Sequence, residues 1–415
     1  MVIPSSWLNE KYLKDILKSN EEFGVSNGEL SIQSYVTGPG VERGRNFASN
    51  ITKVEIDYNV DGLKDSLKIS LMIKVPLTND NLDTLAQNEL DMYNEVIPLM
   101  CELANLTVTP KRYKSSIPEY LVLEDLNAAG YTMCDSIKKL DYKHVKAALI
   151  AVAKFQAASI TVKHNSPRLI EQNGAETVYT HDPQYAEIFK PQILMRLYGV
   201  AKVLQTINGC EKFGDILLDT GEEFWDLIVE VFKPTNKLNV LNHGDFWTNN
   251  ILFKYDSSGC ISDVKLVDYQ LRRFGSPAID LLYLFWTSAD DGARMRMFEL
   301  LEMYRHTLNG CLAETGCPER LGRLELKEHV SKCSPIILLL CLYLPLIFPD
   351  PEDPFDVSKI ETLGENSLSS FDFDTNPLLI PFKAQYYRQA LPEICKELET
   401  LKIFQVLMKN KKKES

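Results

Sequence analysis

The segment that most constrains the fold is VLNHGDFWTNNILF, residues 240–253, where a histidine, an aspartate and two adjacent asparagines sit between apolar runs. Burying such groups without partners is costly. The segment is therefore either a turn or a reactive loop with strands on both sides. Asp245 and Asn250 are separated by four residues. A carboxylate at the start of such a loop can accept the proton of an attacking hydroxyl. An amide one loop-turn later can reach back to a metal ion on bound phosphates. His243 and Gly244 hold the turn, glycine supplying backbone freedom beside the reacting centre.

Downstream, VKLVDYQ places Asp268 at the end of an apolar strand. A carboxylate there can bind Mg²⁺ that bridges the phosphates of ATP. Taken singly, Asp245 and Asn250 read as turn formers and Asp268 as a strand stop. Their order favours the chemical reading, because Asp-x-x-x-x-Asn is also the spacing of the protein-kinase catalytic loop. The earlier part of the chain supplies matching pieces. Lys74, in SLMIKVPL, is a charge inside an apolar strand, costly there unless paired. It would hold the α- and β-phosphates; the plainer reading is an edge lysine reaching out to water. Glu89, in LAQNELDMY, would pair with it, or else face solvent. GVERGRNFAS, residues 40–49, offers Gly44, Asn46 and Ser49 as phosphate donors. An ordinary hairpin turn is an equal reading of that stretch. LVLEDL, residues 121–126, would be the strand between two lobes, its backbone at Glu124 and Leu126 facing adenine.

The chain of 415 residues is long enough for two or three domain-sized units. WLNEKYLKDIL near the start reads as an amphipathic helix that Ser5 or Ser6 would cap. GELSIQSYVTGPG, NFASNITKVEIDYNV and DSLKISLMIKVPL alternate as three antiparallel strands do. LDTLAQNELDMYNEVIPLM then takes helical period, with Leu85, Leu90, Tyr93, Val96 and Ile97 turned inward. Beyond LVLEDL the chain is mainly helical. It opens with a long helix capped by Asp141, and PQILMRLYGVAKVLQTI and GEEFWDLIVEVFKP follow. The expected architecture is α+β and two-lobed, of the protein-kinase type. A β-rich small lobe spans residues 1–126, and a helical large lobe spans 127–415 with a β-hairpin insert at 240–270. IILLLCLYLPLIF, too short to cross a bilayer, reads as a buried core helix. FPDPEDPFDVSKIETLGENSLSSFDFDTNP reads as a long surface loop, and KNKKKES, residues 409–415, as a solvated, frayed end.

Composition narrows the partners. A net charge of −12, spread without long acidic blocks and with the C-terminal KNKKKES as the one basic run, argues against nucleic acid as the main partner. Nine cysteines with no CxxC pair and six scattered histidines suggest neither a disulfide framework nor a zinc site. No basic start followed by an apolar run opens the chain, so a cytoplasmic protein without membrane insertion is expected.

HGDFWTNNILF, LVDYQLRRFGSPAIDLLYLF, LVLEDL and NFAS together resemble the insect ecdysteroid kinase-like family, also called CHK kinase-like, a relative of choline kinases and aminoglycoside phosphotransferases. The resemblance runs from about Ile32 to Phe404. It implies an ATP-dependent kinase of a hydroxylated hydrophobic compound, an ecdysteroid or a dietary toxin. It makes Asp245 the catalytic base, Asn250 and Asp268 the Mg²⁺ ligands, and Lys74 the phosphate lysine with Glu89 as its partner. Asp280, in SPAIDLLY, matches a family aspartate that braces the catalytic loop. Three departures stand out. Gln156 occupies a position where relatives often carry histidine. Tyr269 and Gln270 replace the Phe and Gly of protein kinases, and no APE segment leaves room for an activation loop.

Two other readings make different demands. A nucleotide-binding protein without turnover is expected to lack one of Asp245, Asn250, Asp268 or Lys74. A helical interaction protein with chance turns would leave Asp245 and Asp268 far apart. An apolar acceptor pocket would draw on aromatics such as Trp225, Trp247, Tyr283, Phe285 and Trp286, with Trp247 beside the catalytic loop. A choline-type acceptor would need a cation site of aromatic and acidic groups, which nothing in the sequence singles out.

Overall fold

The computed structural model describes residues 7–23, 29–40, 49–63, 65–76, 80–347, 372–373, 376 and 379–414. Alternating apolar residues build the first layer. Strands β1 (Leu30–Pro39), β2 (Ser49–Val60) and β3 (Leu67–Pro76) pair antiparallel, and β4 (Arg112–Tyr113) and β5 (Leu121–Glu124) complete a five-stranded sheet of order β1-β2-β3-β5-β4. Val54, Ile56, Tyr58 and Val60 fall on one face of β2 by the two-residue period of a strand. With Leu71 and Ile73 they form a core that helix α1 (Glu10–Ser19) covers with Leu13, Ile16 and Leu17. Asn9 caps α1, its side chain accepting the N–H of Tyr12 at 3.0 Å. Ser5 and Ser6, expected in that role, lie outside the described residues.

The helix expected after β3 is not continuous. α2 (Asp80–Asp91) passes through a π turn at Met92–Val96 into α3 (Ile97–Ala104). The extra residue in the turn keeps Leu90, Tyr93, Val96 and Ile97 on the buried side, whereas Leu85 is half-buried. Behind it lies α4 (Tyr142–Asn165), capped by Asp141, which accepts the N–H groups of Lys143 and His144. Among the described residues α4 alone is long and apolar enough to cross a membrane, and most of it is buried inside the protein. It is the central helix of the large core, and truncating Phe155 there would cost about 3–5 kcal/mol.

The large lobe continues with α5 (Pro167–Asn173), α6 (Pro183–Leu204), α7 (Glu211–Asp219) and α8 (Gly221–Phe232). α6 begins two turns before the expected start at Pro191, because Asp182 caps it and Pro183 suits its first turn. Two short sheets interrupt the helices. β7 (Val240–Asn242) pairs with β10 (Arg273–Gly275), and β6 (Tyr131–Met133), unforeseen in the sequence, pairs with the hairpin of β8 (Ile251–Tyr255) and β9 (Ile261–Leu266). Helices α9 (Ala278–Thr287), α10 (Asp291–Met295), α11 (Met297–Glu314) and α12 (Arg323–Cys333) follow. The run expected as one core helix divides into α13 (Ile336–Cys341) and α14 (Leu344–Ile347), since Pro345 cannot donate the bond that would join them. Most of the expected 30-residue surface loop lies outside the described residues. α15 (Gln385–Thr400) and α16 (Ile403–Glu414) close the chain. The basic end is thus helical rather than frayed, and Lys411 pairs with Asp219. This is the two-lobed α+β fold of kinases, a small sheet lobe beside a large helical one.

Candidate active site

Lys74 sits on the central strand β3, in register with Ile51 on β2 and Leu121 on β5. Its ammonium donates to Glu89 Oε2 at 2.5 Å and to Asp268 Oδ1 at 3.4 Å. Burial alone would lower this ammonium, but the Asp268 and Glu89 carboxylates outweigh it and hold Lys74 above its ordinary value. The lone charge in an apolar strand is thus a buried, paired cation rather than an edge lysine. Asn88, beside Glu89 on α2, donates to the Gln270 carbonyl at 3.1 Å and ties the helix to the loop after β9.

The catalytic-loop segment begins at the end of β7. Gly244 has φ +83, and a Cβ there would lie 1.8 Å from the Leu271 carbonyl oxygen. Only glycine meets both demands. Asp280, at the start of α9 and wholly buried, accepts the backbone N–H of His243 at 2.8 Å and of Gly244 at 2.9 Å. Gln156 adds an amide N–H to the same carboxylate at 2.9 Å and receives the Tyr304 hydroxyl. Burial pushes Asp280 up to about 6, against these donors. Its bracing position is the one the resemblance implied, and Gln156 is its support.

His243 links this loop to the next. Its Nε2 hydrogen bonds with the Val267 carbonyl at 2.9 Å, and its Nδ1 receives the Asp245 N–H at 3.4 Å. Burial lowers its pKa to about 4, so the ring is neutral, with the proton on Nε2. Tyr269 is fully buried against Phe155 at 5.3 Å and donates its hydroxyl to the Leu266 carbonyl. Asp268, just before it, is held at φ +71, a left-handed conformation tolerated by Asp more than most residues. The loop bearing Asp268 is therefore anchored on both sides.

Both carboxylate oxygens of Asp245 receive donors. Tyr283 donates its hydroxyl to Oδ1 at 2.7 Å, and Asn250 its amide to Oδ2 at 2.8 Å. Burial first, then the negative charge of Asp268, pushes Asp245 up to about 6, while Tyr283, Asn250 and Trp247 hold it down. A carboxylate poised there is ionised at neutral pH yet basic enough to take a proton. The backbone carbonyl of Asn250 accepts the Val267 N–H at 3.1 Å, whereas its side-chain Oδ1 accepts no hydrogen bond among the described residues. With Asp268 it offers the hard oxygen donors that Mg²⁺ takes one or two of, alongside phosphates. Among the described residues no cluster of three His, Cys, Asp or Glu could hold a metal by itself.

One cavity of about 670 Å³ joins these groups. Lys74, Glu89, Asp245, Asn250 and Asp268 all line it, as do Glu124 and Leu126 at the end of β5. The Glu124 side chain accepts the Lys111 N–H, and the Leu126 carbonyl accepts that of Tyr131. Ser49 opens β2 opposite Pro76. Asn46 and Gly44 lie outside the described residues. Of the aromatics expected at the acceptor, Trp247 and Tyr283 line this cavity. Trp225 and Phe285 are core, and Trp286 faces a second cavity. Sequence reasoning missed Tyr283 as a partner of Asp245. The signal was its position three residues after Asp280, on the same side of α9.

The family comparison agrees with the motifs. The profile of the ecdysteroid kinase-like family matches residues 43–317. No curated protein matches the sequence. Solved structures similar to the chain include a mutant aminoglycoside 2'-phosphotransferase IIIa in its GDP complex, at 14% identity, TM-score 0.40, covering 81% of this chain and 90% of that one. A choline/ethanolamine kinase family protein from Mesorhizobium loti has 14% identity, TM-score 0.37, and covers 95% and 99%. Glucosamine kinase with glucosamine, ADP and inorganic phosphate has 10% identity, TM-score 0.34, and covers 81% and 94%.

Proposed function

The chain belongs to the ecdysteroid kinase-like family and is a phosphotransferase acting on small-molecule hydroxyl groups; from that premise we propose that it transfers the γ-phosphate of ATP to a hydroxyl of a hydrophobic alcohol, an ecdysteroid or a xenobiotic. The observation that carries this reading is the single cavity shared by Asp245, Asn250, Asp268 and the Lys74–Glu89 pair. Its far wall, of Val178, Phe189, Ile193, Ile279, Leu339 and Leu340, is apolar and suits a hydrophobic acceptor.

In this reading ATP lies against β5, with adenine at the backbone of Glu124 and Leu126. Lys74 meets its phosphates, to which Asn46 and Ser49 are further donors. Mg²⁺, held by Asn250 and Asp268, supplies neutralisation of the phosphate charge when bound. Asp245 accepts the proton of the acceptor hydroxyl as that oxygen forms its bond to the γ-phosphorus and the bond to ADP breaks. Tyr283 and Asn250 fix the carboxylate so that it faces the hydroxyl in one orientation. Positioning and charge do most of the work in such a transfer. The small lobe over 1–126 and the large lobe over 127–415 form the two sides of this cleft, in a cytoplasmic protein.

The test is a panel of ecdysteroids and plant-type alcohols incubated with ATP and Mg²⁺, with products read by mass and Asp245→Asn as control. A product heavier by one phosphoryl group, absent with the variant, is expected. Equal product from the variant would remove Asp245 from its role, and no phosphorylated alcohol across the panel would remove the hydrophobic acceptor.

A further inference from the structure

The acceptor end of the cavity contains a charge that the reading above does not use. Arg196, on α6, lines that end and is 8% exposed. No Asp or Glu among the described residues pairs with it. Its Nη1 donates only to the Gln192 carbonyl one turn back in its own helix, at 3.2 Å. Its Nε is buried with no hydrogen-bond partner. The guanidinium lies over the Tyr343 ring, 5.2 Å from the centroid. Arg273, on the same cavity wall, shows the contrast: Glu176 neutralises it at 2.8 Å.

A buried cation without a counter-ion is expensive, because desolvation is not repaid by one carbonyl and one ring face. A bound oxyanion would repay it, since a guanidinium fork matches a carboxylate with two parallel donors. The carboxylates that line the cavity lie elsewhere: Glu124 and Asp125 near β5, Glu89 with Lys74, and Asp245 and Asp268 at the reacting centre. None lies on the helical wall. A cationic acceptor would therefore meet an uncompensated positive charge there. Spatial continuity joins this charge to the base. Tyr283, which donates to Asp245, lines the cavity with Tyr179 and Tyr343, whose hydroxyls hydrogen bond at 3.3 Å, and Tyr343 carries the guanidinium on its face.

We propose that the acceptor is a hydrophobic hydroxy acid, whose carboxylate docks on Arg196 while its hydroxyl faces Asp245. This rests on the hydroxyl-kinase reading of the same cavity and specifies its acceptor. The probes are straight-chain ω-hydroxy carboxylic acids of increasing length and their methyl esters, which lose the negative charge and gain one methyl group at the carboxyl end. Binding to the whole protein is measured by calorimetry, with turnover by ATP and Mg²⁺ read beside it.

Wild type is expected to bind the acid of fitting length about 10–100-fold more tightly than its ester. Arg196→Gln should abolish that preference, and Arg196→Lys should retain part of it, since it keeps charge but not the fork. Nucleotide affinity of each variant reports whether it has folded. Equal binding of acid and ester by wild type would overturn the proposal, as would an undiminished preference in a folded Arg196→Gln protein. Acid-selective binding without phosphorylation would support the Arg196 site and count against the kinase reading instead. Phosphorylation of esters as fast as acids, with no binding preference, would do the reverse.

Discussion

The two walls of the cavity are built by different rules. The phosphate wall is polar, and its groups partner one another: Lys74 with Glu89 and Asp268, and Asn250 with Asp245, while Asp280 behind that wall holds the backbone of His243 and Gly244. The helical wall is apolar, with few polar side chains and a guanidinium that no carboxylate among the described residues pairs. A wall whose charges are mutually satisfied holds one geometry and serves one reaction. A wall of side chains without partners takes its polarity from the molecule it binds. Chemistry is therefore expected to fail the same way for every acceptor when the first wall is altered. Acceptor choice should change when the second is altered.

The strongest attempt to break this contrast is Asp245→Asn. It should lower turnover about 10²–10⁴-fold for every acceptor tested, which steady-state rates across the panel will read. An acceptor-dependent loss would put Asp245 on the wrong wall. Lys74→Met should follow, with a loss of about 10²–10³-fold in kcat/KM for ATP and no change in the rank order of acceptors. Asp280→Ala touches neither wall directly. It leaves two backbone N–H groups and the Gln156 amide without their acceptor, so denaturant unfolding should show a loss of about 3 kcal/mol.

The smallest effect concerns pH. Asp245 must be ionised to act, and its value near 6 predicts that kcat/KM falls as pH drops through that region. The Tyr283 hydroxyl favours the ionised form. Tyr283→Phe should therefore move the acid limb to higher pH, with a rate loss of about tenfold at most above it. A limb that stays in place would detach Tyr283 from the base.

The same contrast explains what the sequence could reveal. Asp245 and Asn250 share one loop, and Asp268 follows after a single hairpin, so local spacing alone exposed them. Asp280 was recognised by its motif, and its hydrogen bonds supply the physical reason. Lys74 and Glu89 were legible because a charge inside an apolar strand needs a partner nearby in the fold. Asn88 and Arg196 carried no such signal, and Tyr283 carried only its place three residues after Asp280 on α9. Each sits on a helix whose period explains it equally well as a packing residue; tertiary contacts bring Tyr283 and Arg196 to the cavity and Asn88 to the loop after β9. The π turn at Met92–Val96 was hidden for a related reason. One inserted residue leaves the apolar period nearly intact while shifting the helix around it.

The measurement that tests the division of roles most directly is nucleotide affinity with and without Mg²⁺, by calorimetry, for Asp245→Asn and Asp268→Ala side by side. Asp245→Asn should bind ATP more tightly with Mg²⁺, as wild type does, while transferring almost no phosphate. Asp268→Ala should lose that Mg²⁺-dependent gain. If Asp268→Ala kept the full gain, or Asp245→Asn lost it, the base and the metal ligand would be wrongly assigned.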